Sequence, residues 1–466
     1  MANWTFIQGV CRSSKKLIPS SRSQSAASCA VTEPILLRSF IDGGSSRAPA
    51  RGEYSVNSFA PPVLYGSSFQ KTVRDASIVS IYYQNVRGLR TKVDDIFLAT
   101  TDCSFDVIML TETGLDDNIL SPQLFGNAFN VFRCDRSPLN SNKRSFGGVL
   151  IAVARHHASV VFESIHGRCL EQVCVRATIN GLKFLLCVIY IPPDKSNDST
   201  IVDAHIASLR DFFASSAVDS IMMVCGDYNQ PRIVWDNYNG VIKHNESTQL
   251  SNASATLIDG MDFLNLNQGN LTRNHLGRVL DLVFNTSGCE ISVDESVAPM
   301  LPVDVHHPPL TISTTNLYNA IGCSSDTPVR RELNYRRIDF EAFNAFISNI
   351  DWPALLNSND VDLMAANFCS VVGSWLRENL PFVKQPSTPA WSNHSLRVLK
   401  RKRNACLRRL RRLRSYESKQ NFKRSSEEYR RLNSSLYKSY VLGVQTDLRR
   451  NPKKFWNFVN SKRRSR

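Results

Sequence analysis

Seven short apolar runs, at residues 78–83, 107–110, 148–153, 184–190, 221–225, 280–284 and 310–313, set the strongest constraint on how this chain folds. Each is strand-length and rich in β-branched residues, and polar turns separate them. Helix-like stretches at 92–100 and 200–214 fall between some of them. The pattern predicts an α/β domain over 78–315, with packed sheets and outer helices. Residues 1–77 are rich in Ser, Arg, Pro and Gly with no sustained period and read as a disordered leader. The first 32 residues, with Arg12, Lys15, Lys16, Arg22 and no acid, also have the composition of a transit peptide. Beyond 330 the strand signal stops, and apolar residues at helical spacing predict a helical unit over 330–380. After a Pro- and Ser-containing stretch comes an arm, 391–466, predicted to be helical because Leu396, Leu399, Leu407, Leu410 and Leu413 recur among arginines.

Charge divides the chain. The net charge is +15, yet residues 391–466 alone hold 24 Lys and Arg against four acids, which leaves −5 for the rest. A mildly acidic body with a strongly basic arm suggests that the arm meets a polyanion while the body supplies carboxylates. Its 12 cysteines are scattered and contain no CxxC pair, so they read as reduced thiols of an intracellular protein. No run approaches the roughly 18 to 20 apolar residues of a membrane span, so no membrane role is expected.

Polar residues sit at the ends of several runs, where an α/β sheet presents its ligand-binding edge. Asn85, Glu112, Tyr190 and Asp227 end or follow runs, and Asp281 lies within one. Singly, each has a plain structural alternative: a helix cap for an acid, a turn for Asn85 or for Asp227 with Asn229, an amphipathic core position for Tyr190. Five together favour a site.

The motifs in order are Gln84-Asn85-Val86-Arg87-Gly88-Leu89, Leu110-Thr111-Glu112-Thr113, Phe146-Gly147-Gly148-Val149, Tyr190-Ile191-Pro192-Pro193, Gly226-Asp227-Tyr228-Asn229, Leu280-Asp281-Leu282-Val283 and Asp304-Val305-His306-His307-Pro308. Over these residues the chain resembles the exonuclease-endonuclease-phosphatase superfamily, and within it the endonuclease domain of LINE-type (non-LTR) retrotransposons. The resemblance implies a two-layer β-sandwich flanked by helices, followed here by a helical, basic C-terminal region. It implies a Mg²⁺-dependent endonuclease, Mn²⁺ being a substitute, that nicks one strand of duplex DNA to leave a 3′-hydroxyl. Glu112 is then the principal metal ligand, with Asn85 and Asp304 completing or orienting its shell. Asp227 activates the attacking water, Asn229 and Tyr190 donate to phosphate, and His307 or His306 contacts the scissile phosphate with Asp281 fixing its tautomer.

Two departures matter. The family places Ser, Asp and His consecutively, whereas Val305 separates Asp304 from His306 and His307. That leaves open which histidine occupies the site, and His307, directly before Pro308, is favoured. Arg87 stands where cellular abasic-site nucleases carry an aspartate near the metal; it is expected to pair with phosphate and directs the resemblance to the retrotransposon branch. His156, His157 and His275 read as surface residues. In the arm, Arg401, Lys402, Arg403, Arg408, Arg409, Arg411 and Arg412 are expected to bind nucleic acid, the DNA target and also element RNA, with interspersed aromatic residues available for stacking. The chain looks like a piece of an element protein without its reverse transcriptase, acting in the nucleus and using no small-molecule cofactor. Two rival readings are a catalytically decayed DNA-binding remnant and a phosphodiesterase or phosphatase of the same fold acting on a small phosphoester.

Overall fold

A computed structural model describes residues 78–141, 146–216, 219–315, 333–358, 360–381 and 388–463; the leader expected at 1–77 lies outside them. In chain order the strands are β1 (Ser80–Asn85), β2 (Val107–Thr111), β3 (Phe129–Cys134), β4 (Val149–Ala154), β5 (Ala158–Phe162), β6 (Glu171–Ile179), β7 (Leu182–Tyr190), β8 (Ile221–Asp227), β9 (Trp235–Tyr238), β10 (Val241–His244), β11 (Leu266–Gln268), β12 (Asp281–Thr286), β13 (Glu290–Glu295) and β14 (Leu310–Thr315). The helices are α1 (Val93–Thr101), α2 (Ser121–Phe125), α3 (Ser199–Ala214), α4 (Asn252–Phe263), α5 (Phe340–Ser348), α6 (Trp352–Leu355), α7 (Val361–Asn379), α8 (His394–Leu413), α9 (Tyr416–Thr446) and α10 (Pro452–Arg463). All of the seven apolar runs become strands. The sequence pattern missed β3, β5, β6, β9, β10, β11 and β13, which lack an unbroken apolar run. In β6, for example, inward Val173, Val175, Ala177 and Ile179 alternate with Gln172, Cys174, Arg176 and Thr178.

Two six-stranded sheets form the sandwich, in the orders β13-β14-β1-β2-β4-β3 and β11-β12-β8-β7-β6-β5, and β9 and β10 make a separate hairpin. Each sheet has one parallel pair at its centre, β1 with β2 and β7 with β8, and antiparallel neighbours elsewhere. The two-layer sandwich flanked by helices and followed by a helical C-terminal region is the expected architecture. Strand alternation explains the layering, because successive side chains face opposite sides of a sheet. Ile81 and Tyr83 of β1 meet Phe184, Leu186, Val188, Met223, Cys225 and Val283 of the other sheet to form the inter-sheet core. The intervening residues of the second sheet, including Leu185, Cys187, Ile189, Met222, Val224 and Phe284, turn outward and are covered by α3 and α4 through Val202, Leu209, Phe212 and Leu257. Strands covered on both faces read as near-continuous apolar runs.

The basic arm packs on the sandwich. Lys400 Nζ lies 2.5 Å from Asp102 Oδ1, the Tyr429 hydroxyl also donates to this carboxylate, and Arg403 donates to the Asp102 carbonyl at 2.9 Å. The Trp391 indole donates to Asn433 Oδ1 at 2.7 Å, and the Phe97 ring of α1 sits 5.8 Å from Trp391 and 5.7 Å from Tyr437. Leu396, Tyr429, Tyr437, Val441, Val444 and Phe455 are buried. Much of the arm's aromatic surface, expected to stack on bases, is therefore spent on docking; Tyr416 and Trp456 stay exposed. No described helix is long and apolar enough to cross a membrane.

Candidate active site

The alternation that builds the inter-sheet core also builds the site. Asn85 continues the inward row of Ile81 and Tyr83, Tyr190 that of Leu186 and Val188, Asp227 that of Met223 and Cys225, and Asp281 that of Val283. All four thus point into the gap between the sheets at one end of it. Register sharpens the convergence: Tyr190 is paired with Asp227 across β7 and β8, and Asp227 with Asp281 across β8 and β12. Gly226 is required for this packing, since a Cβ there would lie 2.5 Å from Ile189 Cγ2 and 2.6 Å from its carbonyl oxygen.

Glu112 arrives differently. Val107 and Met109 face the inter-sheet core, and alternation alone would send the residue after Thr111 away from it. The left-handed backbone of Glu112, φ 52°, redirects it, and the amide of Gly88 donates to its carbonyl at 2.7 Å. Arg87 and Asn229, at φ 43° and 49°, also bend sharply just past β1 and β8. A non-glycine residue in this region is uncommon, and three at neighbouring strand ends mark a strained rim.

Asn85 Nδ2 donates to Glu112 Oε1 and to Asp227 Oδ2, both at 3.0 Å. His307 Nδ1 lies 2.9 Å from Asp281 Oδ2, and its Nε2 is 3.6 Å from Asp227 Oδ2. Ligand atoms of Glu112, Asp227 and His307 all lie within 4.8 Å of one another. The Tyr83 hydroxyl donates to the other oxygen of Asp281 at 2.7 Å, and the Asn270 amide to its carbonyl at 2.7 Å. Asn229 donates from its backbone amide to Asp227 at 3.2 Å and from its side chain to Ile191 O at 2.9 Å, which leaves its second amide hydrogen for another acceptor.

Electrostatics follows from three carboxylates sharing a buried pocket. Burial pushes the Asp227 carboxyl well above its ordinary range; Asp281 and Glu112 add to this and His307 opposes it. Burial works against charge on His307, but Asp281, Asp227 and Glu112 outweigh it and push its pKa up to about 10. Burial first, then Glu112 and Asp227, raise the Tyr190 phenol, which keeps its proton as a hydrogen-bond donor. Behind Tyr190, Arg136 pairs with Glu171 at 2.7 Å and lies over the tyrosine ring at 5.7 Å from its centroid. Gly147, at φ 75°, makes room for that pair: a Cβ there would fall 2.3 Å from the Arg136 guanidinium.

His306 stands apart, its ring 4.4 Å from that of His275 and its amide donating to Asp304 Oδ1. Asp304 is also outside the group of Glu112, Asp227 and His307; its Oδ2 lies 2.9 Å from Arg87 Nη1, whose side chain is 63% exposed. Partial burial raises the Asp304 carboxyl, but the His306 amide, Arg87 and both imidazoles together hold it below the usual range. In the arm, Arg401, Lys402, Arg408, Arg409, Arg411 and Arg412 are exposed, with Lys402 paired to Glu428 at 2.8 Å. Arg403 instead turns inward over the Tyr429 ring. His157, read as a surface residue, is buried and paired with Asp106 at 3.0 Å, because its turn folds back over the start of β2. The sequence reading overlooked Tyr83, Asn270, Arg136 and Glu171. Tyr83 was within reach, being two residues before Asn85 and hence on the same strand face; the others carry no local signal.

Over about half its length the chain is similar to solved structures. One is the endonuclease domain of TRAS1, a telomere-specific non-LTR retrotransposon (11% identity, 51% of this chain, 98% of that one, TM-score 0.34). Another is an AP endonuclease from Archaeoglobus fulgidus (16%, 50%, 98%, 0.35), and a third the human Nocturnin catalytic domain (13%, 51%, 93%, 0.36). Neither a protein-family model nor a curated protein matches the sequence.

Proposed function

We propose that this chain is a divalent-metal-dependent DNA endonuclease that nicks one strand by phosphodiester hydrolysis and leaves a 3′-hydroxyl, as in target-primed retrotransposition. The observation that carries this reading is the meeting of a carboxylate and amide donor set (Glu112, Asp227, Asn85) with an imidazolium anchored by Asp281. The donor set fits a hard cation: Glu112, Asp227 and Asp281 face a single imidazolium, so the pocket lacks a positive charge, and burial makes that lack costly. Glu112 and Asp227, oriented by the side-chain amide of Asn85, would hold Mg²⁺, or Mn²⁺ in its place. When bound, the ion neutralises charge developing on phosphate oxygens and polarises water.

The chain's own groups supply the rest. Asp227 Oδ2 accepts the proton of the attacking water as the P–O3′ bond breaks and the leaving 3′-oxygen takes a proton from solvent, and Asn85, donating to both Asp227 and Glu112, keeps the two carboxylates in fixed relation. The His307 imidazolium, locked by Asp281, stabilises the negative charge on the phosphate in the transition state. Tyr190 and the second amide hydrogen of Asn229 donate to non-bridging oxygens. The exposed arginines of α8 hold the DNA backbone. The test is relaxation of supercoiled plasmid: nicking in Mg²⁺, none in EDTA, and a loss of at least about 10³-fold in Glu112→Ala with duplex affinity unchanged. Nicking that survives EDTA or Glu112→Ala refutes the proposal.

A further inference from the structure

The opposite end of β2 carries a second cluster of metal-ligating side chains. Glu112 follows β2 and Asp106 precedes it, so the 5 residues of β2, roughly 17 Å, separate the two ends. Asp106 is rigidly held: its amide donates to Ser80 O at 2.8 Å, its carbonyl accepts from Ala154 N at 2.8 Å, and its Oδ2 accepts from Ser80 N at 2.9 Å. Its Oδ1 faces Nε2 of the buried His157 at 3.0 Å. His156, exposed in the same β4–β5 turn, places its ring 3.9 Å from that of His157, tilted by 46°. One ligand atom from each of Asp106, His156 and His157 lies within 4.8 Å of the others.

We propose that Asp106, His156 and His157 form a second divalent-cation site, distinct from the catalytic pocket and selective for Zn²⁺-like ions over Mg²⁺. Two imidazole nitrogens and one carboxylate oxygen are the donors of a borderline-soft ion, whereas Mg²⁺ favours oxygen. With metal–ligand distances near ~2.0–2.1 Å, donors around a tetrahedral ion stand roughly 3.3 Å apart, close to the 3.0 Å already set between Asp106 and His157. The Ser80 amide orients the carboxylate from behind, as outer partners of metal ligands do. A bound ion would pin the β4–β5 turn to the starts of β1 and β2, a structural role that leaves nicking untouched.

Co²⁺ serves as the probe, titrated into the metal-free full chain in millimolar Mg²⁺ and followed by its ligand-field absorption and by thermal unfolding. The expected result is one tight equivalent that Zn²⁺ displaces and that raises Tm. It persists in the Glu112→Ala/Asp227→Ala double variant and disappears in His156→Ala, whose exposed position spares the fold and whose Mg²⁺-dependent nicking matches the parent chain. Co²⁺ binding unchanged in His156→Ala, or absent from the double variant, overturns the proposal and leaves the Asp106–His157 contact a plain structural hydrogen bond.

Discussion

Replacing Asp281 by Asn tests the imidazolium directly. Asp281 accepts from Tyr83 on one oxygen and faces His307 Nδ1 on the other, so the amide keeps the shape but removes the charge at 2.9 Å. The His307 pKa of about 10 reflects burial opposed, and outweighed, by Asp281 first and then Asp227 and Glu112. Without Asp281 the value should fall toward the ordinary ~6.5. At pH 8 the charged fraction then drops from nearly complete to about 3%, which alone costs about 30-fold in rate. Loss of the fixed tautomer adds to this, within the ~10²–10⁴-fold range of positioned acid–base groups. The parent chain keeps its imidazolium from acid up to about pH 10, whereas in Asp281→Asn residual nicking should fall as pH rises above ~6.5 and recover on acidification. The assay is single-turnover nicking of a plasmid at saturating Mg²⁺ between pH 6 and 9. A variant whose profile parallels that of the parent, however slow, refutes the role of charge on His307.

Three further outcomes follow from the geometry. Neutralising Arg408, Arg409, Arg411 and Arg412 to Gln should lower the slope of log affinity against log salt by about 0.9 for each arginine that contacts a phosphate, without changing the rate at saturating DNA; an unchanged slope in a filter-binding titration removes this face of α8 from the interface. His205 is fully buried between Gln172 and Tyr228, and burial lowers its pKa to about 3. Because the unfolded chain binds this proton near pH 6.5 and the folded chain does not, stability is lost as pH falls between those values, by roughly 2 kcal/mol at pH 5, and His205→Gln should flatten that part of a denaturation-versus-pH series. Asp102→Ala strips Lys400 and Tyr429 of their shared acceptor and should cost on the order of 2–4 kcal/mol in urea unfolding; a midpoint equal to that of the parent chain shows that this contact does not hold the arm.

Local chemistry in the sequence marked out the strands that line the inter-sheet gap, because strands buried on both faces are apolar along most of their length, as β2, β7 and β8 are. It also marked Asn85, Tyr190, Asp227 and Asp281, since a polar residue closing an apolar strand has few reasons to be there. Edge strands such as β3 and β13 escaped because one face meets water and their alternation is mixed with charge. The basic arm was legible as charge and as helix, but not as a docked element.

Amino-acid order alone therefore determined that seven apolar segments become strands and which side chains close them, since both depend on period and composition along the chain. Only the tertiary structure decided which of His306 and His307 enters the pocket, that Asp304 faces Arg87, that Tyr83 braces Asp281 across 198 residues, and that Asp102 anchors the arm across about 300. Those outcomes depend on sheet register and on a few backbone turns at strand ends. Sequence fixes such turns only jointly with everything packed against them.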